Sequence, residues 1–324
     1  MPDSAAATPP ARRKKISIVT PCYNEQDNVR ECWTTVRELF EKELPDYDLE
    51  HIICDNCSKD ETVARLREMS REDSRLKIIL NARNFGPFCN TFNGILATTG
   101  DAVVAMLPVD LQDPPEVIPT FVRHWENGYE VVYGTRANRA ESWVMRTVRH
   151  LYYRLVSRFA EFDVPNDVGE FQLIDRAVVD ALRRFEDYYP YIRGMIASCG
   201  FRSIGVSYTW RARKRGFSKN RLYHLVDQGL NGLISFTKIP LRLTLVFGFG
   251  LAFCSILFGL ASLVANLILW RQAPRGIPTL IVSLFFFSGV QLFFIGILGE
   301  YICAIHSQVR KRPLVIERER LNFN

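Results

Sequence analysis

The sequence predicts an α/β domain built on a mainly parallel sheet with helices on both faces, followed by membrane-spanning helices. Over the first 240 residues, short apolar runs alternate with amphipathic stretches, which is the pattern of strands joined by crossover helices. After residue 242 the pattern changes, because two long stretches carry no charged residue. The chain therefore divides into a water-soluble part and a membrane part.

Five apolar runs in the soluble part have the length of buried strands: 16–20, 49–54, 76–80, 102–107 and 131–133. Helices are predicted between them at 25–42, 60–72, 88–98 and 115–127, with a further helix at 141–161 and then a loop at 163–170. In a parallel sheet of this kind, ligands bind at the carboxyl ends of the strands. Polar side chains follow three of those ends, namely Glu25, Asp55 and Asp110, so we expect a nucleotide-type site there.

Two stretches in the membrane part, 243–270 and 276–299, exceed the ~20 residues that a spanning helix needs. They predict spans at about 242–270 and 276–299 within a segment 241–306, joined by a short turn. An amphipathic stretch at 221–240 precedes them and is predicted to lie in the membrane interface, with a core-packed helix as the alternative. Basic residues at the outer ends favour both soluble ends on the cytoplasmic side.

Composition narrows the class of partner. The net charge is +6, and basic residues cluster at 12–15, 211–221 and 310–312, beside apolar segments. This favours lipid head groups or phosphates, and no segment resembles a nucleic-acid-binding motif. Cys54 and Cys57 could form a redox pair or half a zinc site, but small buried residues at a strand end are the favoured interpretation. Residues 1–14 are expected to be disordered and lack the apolar core of a signal peptide.

Four motifs follow one another in order: Pro-Cys-Tyr-Asn-Glu at 21–25, Asp-Asn-Cys-Ser-Lys-Asp at 55–60, Arg-Asn-Phe-Gly at 83–86 and Asp-Leu-Gln-Asp-Pro-Pro at 110–115. Together they resemble the family-2 glycosyltransferases with a GT-A (Rossmann-like) fold. Within that family the chain is similar to polyprenyl-phosphate glycosyltransferases, which include bactoprenol glucosyltransferases and dolichyl-phosphate mannose synthase. The segments 299–302 and 310–314 are similar to the end of the two-span members, so the resemblance covers about 15–318.

The resemblance implies a GT-A catalytic domain at 15–220 and a cytoplasmic tail at 307–324. It also implies an activity: inverting transfer of one sugar from a nucleoside-diphosphate sugar, with UDP-hexose favoured, to undecaprenyl phosphate. The expected location is the cytoplasmic face of the inner membrane, in a multi-pass protein that serves a cell-envelope glycan. A homo-tetramer is compatible with the resemblance, and the sequence does not identify the sugar.

The resemblance also implies a donor pocket. Asp55 would bind the base, with Pro21, Tyr23 and Glu25 shaping the pocket, while Asn84 and Gly86 would approach the nucleotide. Each assignment has a structural alternative, since an aspartate after a strand is often a turn or helix-capping residue. The 83–86 segment could likewise be an ordinary turn.

A divalent cation, Mg²⁺ or Mn²⁺, is expected from the charge that develops on a departing diphosphate. In the family a D-x-D loop provides the carboxylate, and here the matching residues are Pro108-Val109-Asp110, so the first acid is missing. The resemblance implies Asp110 and Gln112 as the metal-binding residues. The loss of the first acid leaves open a pseudo-enzyme that binds nucleotide sugar without turnover.

The remaining implied site residues are an acid and several groups for the acceptor phosphate. Glu170 matches the family acid that faces the reacting centre, as general base or as a group that positions sugar hydroxyls or the metal. A base is not required, because a phosphate monoester is already anionic at pH 7. Arg136 matches a family arginine, and Arg213, Ser218 and Lys219 match a basic stretch that binds the acceptor phosphate. The alternatives are a solvated basic loop for this stretch and, for the whole chain, a different lipid acceptor.

Overall fold

The computed structural model describes residues 12–137, 168–185, 187, 190–211, 246–251, 253, 254, 257, 261, 264, 277–310 and 312–323. The predicted helix at 141–161, the interfacial helix at 221–240 and most of the first span at 242–270 lie outside these residues. The chain forms two compact units. The first contains Met1–Ser157, Phe162–Asn220 and Arg312–Asn324, and the second contains Arg158–Glu161 and Arg221–Lys311.

The first unit is built on one eight-stranded sheet. Its strands are β1 (Lys15–Cys22), β2 (Asp48–Asp55), β3 (Leu76–Asn81), β4 (Ala102–Val104), β5 (Val131–Ala137), β6 (Val168–Asp175), β7 (Ser203–Thr209) and β8 (Glu317–Leu321). Their order across the sheet is β7-β5-β6-β4-β1-β2-β3-β8. The pairs among β1, β2, β3 and β4 are parallel, and so is the pair β5 and β7, whereas β6 and β8 run antiparallel to their neighbours.

Helices cover both faces of this sheet. They are α1 (Val29–Glu43), α2 (Thr62–Glu72), α3 (Pro87–Ala97), α4 (Ile118–Glu126), α5 (Arg176–Leu182) and α6 (Ile192–Ser198). Side chains of α1, α2 and α4 share one buried cluster with strand residues such as Ile16 and Ile18. Those of α3, α5 and α6 share a second cluster with Val19 and Ile52. Successive β1 residues thus point to opposite faces, as the pleat of a strand buried on both sides requires.

The predicted strands and helices between residues 15 and 137 are confirmed, with β4 shorter than expected because it ends at Val104. The loop predicted at 163–170 is wrong at its end, since residues 168–170 open β6. The sequence pattern predicted none of β6, β7, β8, α5 and α6. These elements are short, and β7 alternates exposed and partly buried positions instead of forming an apolar run.

The strand β8 brings the end of the chain back to the catalytic sheet. It pairs antiparallel with β3, and Arg67 forms a two-pronged ion pair with Glu319. Asn93 donates a hydrogen bond to Glu317, and the Asn322 amide donates to the carbonyls of Ser70 and Leu76. Part of the segment predicted as a tail therefore forms a strand that covers the β3 edge of the sheet.

In the second unit the longest described helix is α7 (Ile277–Val309). Its stretch Phe286–Cys303 has a mean hydropathy of 1.6, and none of that stretch is buried. By length and composition it is the single helix among the described residues that could cross a membrane. At 1.5 Å per residue α7 is about 50 Å long, so it exceeds the ~30 Å hydrocarbon core of a bilayer.

His51 on β2 is fully buried beneath α1. Its Nε2 lies 2.8 Å from the Thr20 hydroxyl, while Nδ1 has no hydrogen-bond partner among the described residues. The ring packs against Trp33 at 5.7 Å. Burial lowers the pKa of His51 to about 3, because a charged imidazolium cannot be hydrated there.

We expect this histidine to make folding pH-dependent. The unfolded chain takes up a proton near pH 6.5 and the folded chain only near pH 3, so the contribution of His51 is complete above pH 6.5 and is lost as the pH falls between these values. From pH 7 to pH 5 the free energy of unfolding should fall by about 2 kcal/mol on this account. Thermal unfolding of the detergent-solubilised chain measures it. A His51→Gln variant with the same loss over this range would contradict the assignment.

Candidate active site

The carboxyl ends of β1 and β2 carry two loops that are joined by hydrogen bonds. The Asn24 N–H donates to the Ser58 hydroxyl at 2.8 Å, and the Lys59 N–H donates to Asn24 Oδ1 at 2.7 Å. The Glu25 N–H donates to the Thr62 hydroxyl at 2.9 Å. The structure therefore brings the predicted residues Pro21, Tyr23 and Glu25 next to the loop that follows Asp55. We give the name β1–β3 group to Pro21, Tyr23, Glu25, Asp55, Asn84 and Gly86.

The Asp55 carboxylate is hydrogen-bonded within its own turn. It is 1% exposed, and its Oδ2 accepts a hydrogen bond from the Ser58 N–H at 2.9 Å, while Oδ1 accepts from the Ser58 hydroxyl. Burial raises the pKa of Asp55, and these hydrogen bonds act in the opposite direction. In the described geometry Asp55 shapes the 55–58 turn, which is the structural alternative the sequence left open, and its contact with a donor base stays a prediction.

A second group of polar side chains lies at the carboxyl ends of β4, β5 and β7. It includes Asp110 and Gln112, which flank a tight turn. Leu111 has a φ of 53°, in the left-handed region, and its N–H donates to the Pro108 carbonyl at 3.0 Å. The Gln112 N–H lies 3.3 Å from Asp110 Oδ1. The turn thus holds the predicted carboxylate and amide next to each other.

Asp113 is the residue that organises this second group, and sequence reasoning had assigned it no role. It is 3% exposed and accepts hydrogen bonds from Arg136 Nε at 3.2 Å and Arg136 Nη2 at 3.0 Å. The Tyr208 hydroxyl donates to the same carboxylate at 2.6 Å. A two-pronged contact of this kind fixes the plane and direction of the guanidinium. The predicted catalytic Arg136 is therefore held by the last acid of the 110–113 motif.

The end of β7 is attached to the same turn. The Arg211 N–H donates to the Gln112 carbonyl at 2.9 Å, and Trp210 lies with its ring 5.3 Å from the Arg136 guanidinium. The basic stretch predicted to bind phosphate starts at this point. Its residues Arg213, Ser218 and Lys219 lie outside the described part of the chain, so their placement stays a prediction.

Glu170 lies at the start of β6. Its side chain is 19% exposed, Oε1 lies 3.6 Å from Arg193 Nε, and Oε2 is buried without a hydrogen-bond partner among the described residues. Burial raises the pKa of Glu170, and the charges of Arg193 and Arg136 oppose that rise. Arg193, on α6, is a second cation that sequence reasoning missed, because no motif marks it. With Asp110, Gln112, Asp113, Arg136, Tyr208 and Trp210, these two residues form what we call the β4–β7 group.

The donor atoms of this group suit a hard divalent cation only in part. The described residues contain no cluster of three or more His, Cys, Asp or Glu side chains that could hold a metal. Asp110 and Gln112 offer oxygen ligands, which Mg²⁺ and Mn²⁺ prefer. One carboxylate is sufficient where substrate phosphates complete the coordination, as is usual for Mg²⁺. The residues therefore fit a metal that is held jointly with a diphosphate.

Comparison with known proteins identifies the family. Residues 17–183, just over half of the chain, match the model of glycosyl transferase family 2. The chain belongs to glycosyl transferase family 2. The chain has a GT-A-like α/β fold with a mostly parallel sheet, as the resemblance implied. This chain is a glycosyltransferase.

Relatives of this family 2 glycosyltransferase match it over nearly its whole length. An uncharacterized glycosyltransferase, YkcC, from Bacillus subtilis is 34% identical over 307 residues, which are 94% of each chain. A bactoprenol glucosyl transferase of Shigella phage SfX is 33% identical over 94% of this chain and 99% of its own. A prophage-derived bactoprenol glucosyl transferase of Shigella flexneri is 33% identical over 93% and 97%. The similarity thus includes the part of the chain that follows the catalytic domain.

The role of Asp113 can be tested by stability. Asp113→Ala leaves the guanidinium and the tyrosine hydroxyl without their shared acceptor. Because Arg136 is 26% exposed, we expect a loss of about 2–3 kcal/mol of unfolding free energy, below the range for a fully buried pair. Tyr208→Phe removes the hydrogen bond to Asp113 and the longer one from Arg136 Nε, but it leaves the ion pair, so it should cost about 1 kcal/mol. Thermal unfolding of both variants measures this order, and equal losses would contradict a central role for Asp113.

Proposed function

We propose that this family 2 glycosyltransferase transfers one sugar from a nucleoside-diphosphate sugar, a UDP-hexose, to a polyprenyl phosphate at the cytoplasmic face of the membrane. The observation that carries the proposal is the similarity to bactoprenol glucosyl transferases over 94% of this chain. The two groups of site residues support it, because polar side chains that suit a nucleotide and cations that suit phosphates lie at the carboxyl edge of one sheet. Donor and acceptor would meet at the carboxyl edge of the sheet, where α/β proteins bind such ligands.

The reaction is a displacement at the anomeric carbon. An oxygen of the acceptor phosphate forms the new bond to this carbon, the bond to the donor diphosphate breaks, and UDP leaves with the electron pair. Attack opposite to the leaving group inverts the configuration. Holding both substrates in line supplies most of what the protein must contribute.

Arg136 and Arg193 would stabilise the negative charge on the two phosphate groups. Asp113 binds Arg136 through Nε and Nη2, so the guanidinium is oriented before the substrate arrives and retains further N–H donors for phosphate oxygens. Asp110 and Gln112 would hold Mg²⁺ or Mn²⁺, which would neutralise charge on the leaving diphosphate. Arg213, Ser218 and Lys219 would bind the acceptor phosphate.

Glu170 would position the sugar instead of removing a proton. The acceptor phosphate is already an anion at pH 7, so its oxygen can attack without a general base. Oε2 of Glu170 is buried and has no hydrogen-bond partner in the described part of the chain, so it is an acceptor that a sugar hydroxyl could satisfy. This use of the carboxylate agrees with its place beside Arg136 and Arg193.

The return of the chain to the sheet supports a two-helix membrane hairpin. The segments Phe162–Asn220 and Arg312–Asn324 belong to the same compact unit, so the segment between them must cross a membrane an even number of times if it crosses at all. The helix α7 provides one crossing. The uncharged stretch at 243–270 would provide the other, with the amphipathic stretch at 221–240 in the interface. The catalytic unit and β8 would then both face the cytoplasm of a multi-pass inner-membrane protein, and a homo-tetramer stays a prediction.

A transfer assay tests the activity. The full chain in detergent is given radiolabelled UDP-glucose, UDP-galactose, UDP-N-acetylglucosamine or GDP-mannose together with undecaprenyl phosphate. We expect label in the lipid phase from one UDP-hexose, and at least a 100-fold loss in Asp110→Ala or with EDTA, since a charge-stabilising group is removed. Clean donor binding by calorimetry without lipid label from any donor would contradict the proposal. Activity gained only in Pro108→Asp would instead support a pseudo-enzyme.

The hairpin is tested separately with reporters at the carboxyl terminus. A fluorescent protein fused after Asn324 should fluoresce, and an alkaline phosphatase fused there should be inactive, because both would remain in the cytoplasm. A matched fusion inside the 271–275 turn should give the opposite pair of results. An active phosphatase after Asn324 would contradict an even number of crossings.

A further inference from the structure

Three buried asparagine side chains form a hydrogen-bonded chain that ends at the 84–86 turn of the β1–β3 group. Asn90 on α3 donates to the Cys54 carbonyl at 2.8 Å, and its own Oδ1 accepts from Asn81 Nδ2, also at 2.8 Å. Asn81 Nδ2 lies 3.3 Å from Asn56 Oδ1. All three asparagines are 4% exposed or less. The sequence analysis assigned a role to none of them.

Asn56 is the end of this chain, and its amide is fully used. Its Nδ2 donates to Asn84 Oδ1 at 3.0 Å and to the Gly86 carbonyl at 3.1 Å. Its Oδ1 accepts from the Phe85 N–H at 2.9 Å as well as from Asn81. Two donors and two acceptor positions are all that an asparagine offers. Three of the four bonds go to three consecutive residues of one turn.

This turn contains a backbone conformation that few residue types can adopt. Gly86 has a φ of 87° and a ψ of 161°, a region that is essentially restricted to glycine. Asn84 Oδ1 also accepts from the Gly86 N–H at 2.9 Å, so the Asn84 side chain depends on Asn56 for its direction. Asn84 itself is exposed, and the turn therefore presents its outer side to a ligand. Without Asn56, the turn would lose the three hydrogen bonds that join it to the loop after β2.

We infer that Asn56 is a positioning residue for the nucleotide-sugar donor, which it serves by holding the 84–86 turn in its binding conformation. This inference rests on the proposed donor pocket. Asn56 itself is buried and acts through Asn84 and Gly86. A preformed turn lowers the entropy cost of binding, so the effect should fall on donor affinity more than on turnover.

The polarity of the Asn56 amide separates this role from simple packing. Asn56→Asp keeps the shape and the acceptor oxygen, but it replaces both donors with an oxygen that faces Asn84 Oδ1 and the Gly86 carbonyl. If Asn56 only fills space, Asn56→Asp should lower stability, because it buries a carboxylate, but it should leave donor affinity unchanged. If it holds the turn, Asp should be at least as harmful as Ala, because oxygen then faces oxygen.

Asn322 supplies a matched control. Its amide also makes hydrogen bonds to backbone carbonyls, those of Ser70 and Leu76, and it joins β8 to α2 and β3 instead of holding the donor turn. Its φ of 63° makes Asn322→Ala costly for the backbone as well. This variant should lose stability without a change in donor affinity. It reports what a loss of fold stability alone does to the measurement.

The experiment measures UDP and UDP-glucose binding by calorimetry, and transfer kinetics, for the full chain in detergent. We expect Asn56→Ala and Asn56→Asp to raise the donor Kd and KM about 10-fold, with kcat and the acceptor KM changed less than about 3-fold. Asn322→Ala should bind donor like the wild type. Equal donor affinity in Asn56→Asp and the wild type, or equal losses in Asn56→Ala and Asn322→Ala, would overturn the inference alone. A wild type that binds neither UDP nor UDP-glucose would overturn the proposed donor as well.

Discussion

The pairing of β6 antiparallel to both β4 and β5 is the constraint on which the site depends. In an otherwise parallel centre, the strands end at the edge where ligands bind, and only a strand running the other way starts there. The reversal places Glu170, the third residue of β6, at the same edge as the ends of β4, β5 and β7. On its other side β5 pairs parallel with β7, so that Arg136 lies opposite Tyr208 in the register. An acid and a cation from distant parts of the chain thereby meet.

Asp113 fixes the orientation of the Arg136 side chain at this edge of the sheet. A buried carboxylate is costly unless cations or donors satisfy it, and Arg136 and Tyr208 do so together. The same contacts restrict Arg136 to one orientation and place it against Trp210. The arrangement agrees with electrostatic stabilisation of a phosphate, which requires charges that are oriented before the reaction begins. Pro108 replaces the first acid of the D-x-D motif. This replacement leaves the pairs Asp113–Arg136 and Glu170–Arg193 in place.

The strand β8 follows the second unit in the sequence and belongs to the sheet of the first unit. It closes the β3 edge through backbone pairing and through the ion pair of Arg67 and Glu319. Just before the strand, the Ile316 carbonyl accepts from the Ala82 N–H, directly before the turn that Asn56 holds. This contact lies at one end of β8, whereas Asn322 lies at the other end, beside the start of β3.

The sequence by itself determined the parallel centre of the sheet, the apolar α7 and the ordered motifs, because hydrophobic periodicity and strand-end polar residues are local properties. It identified Asp110, Gln112, Arg136 and Glu170 through resemblance. Only the tertiary structure decided that β6 runs antiparallel to its neighbours and that β8 returns to the sheet. It also decided that Asp113, Arg193 and Asn56 contact the predicted site residues Arg136, Glu170 and Asn84. The contacting residues are far apart in the sequence. Asp113 and Arg136 are separated by 23 residues, and Asn56 and Asn84 by 28. Arg67 and Glu319 are separated by 252. Such contacts follow from the packing of whole elements, and no local pattern encodes them.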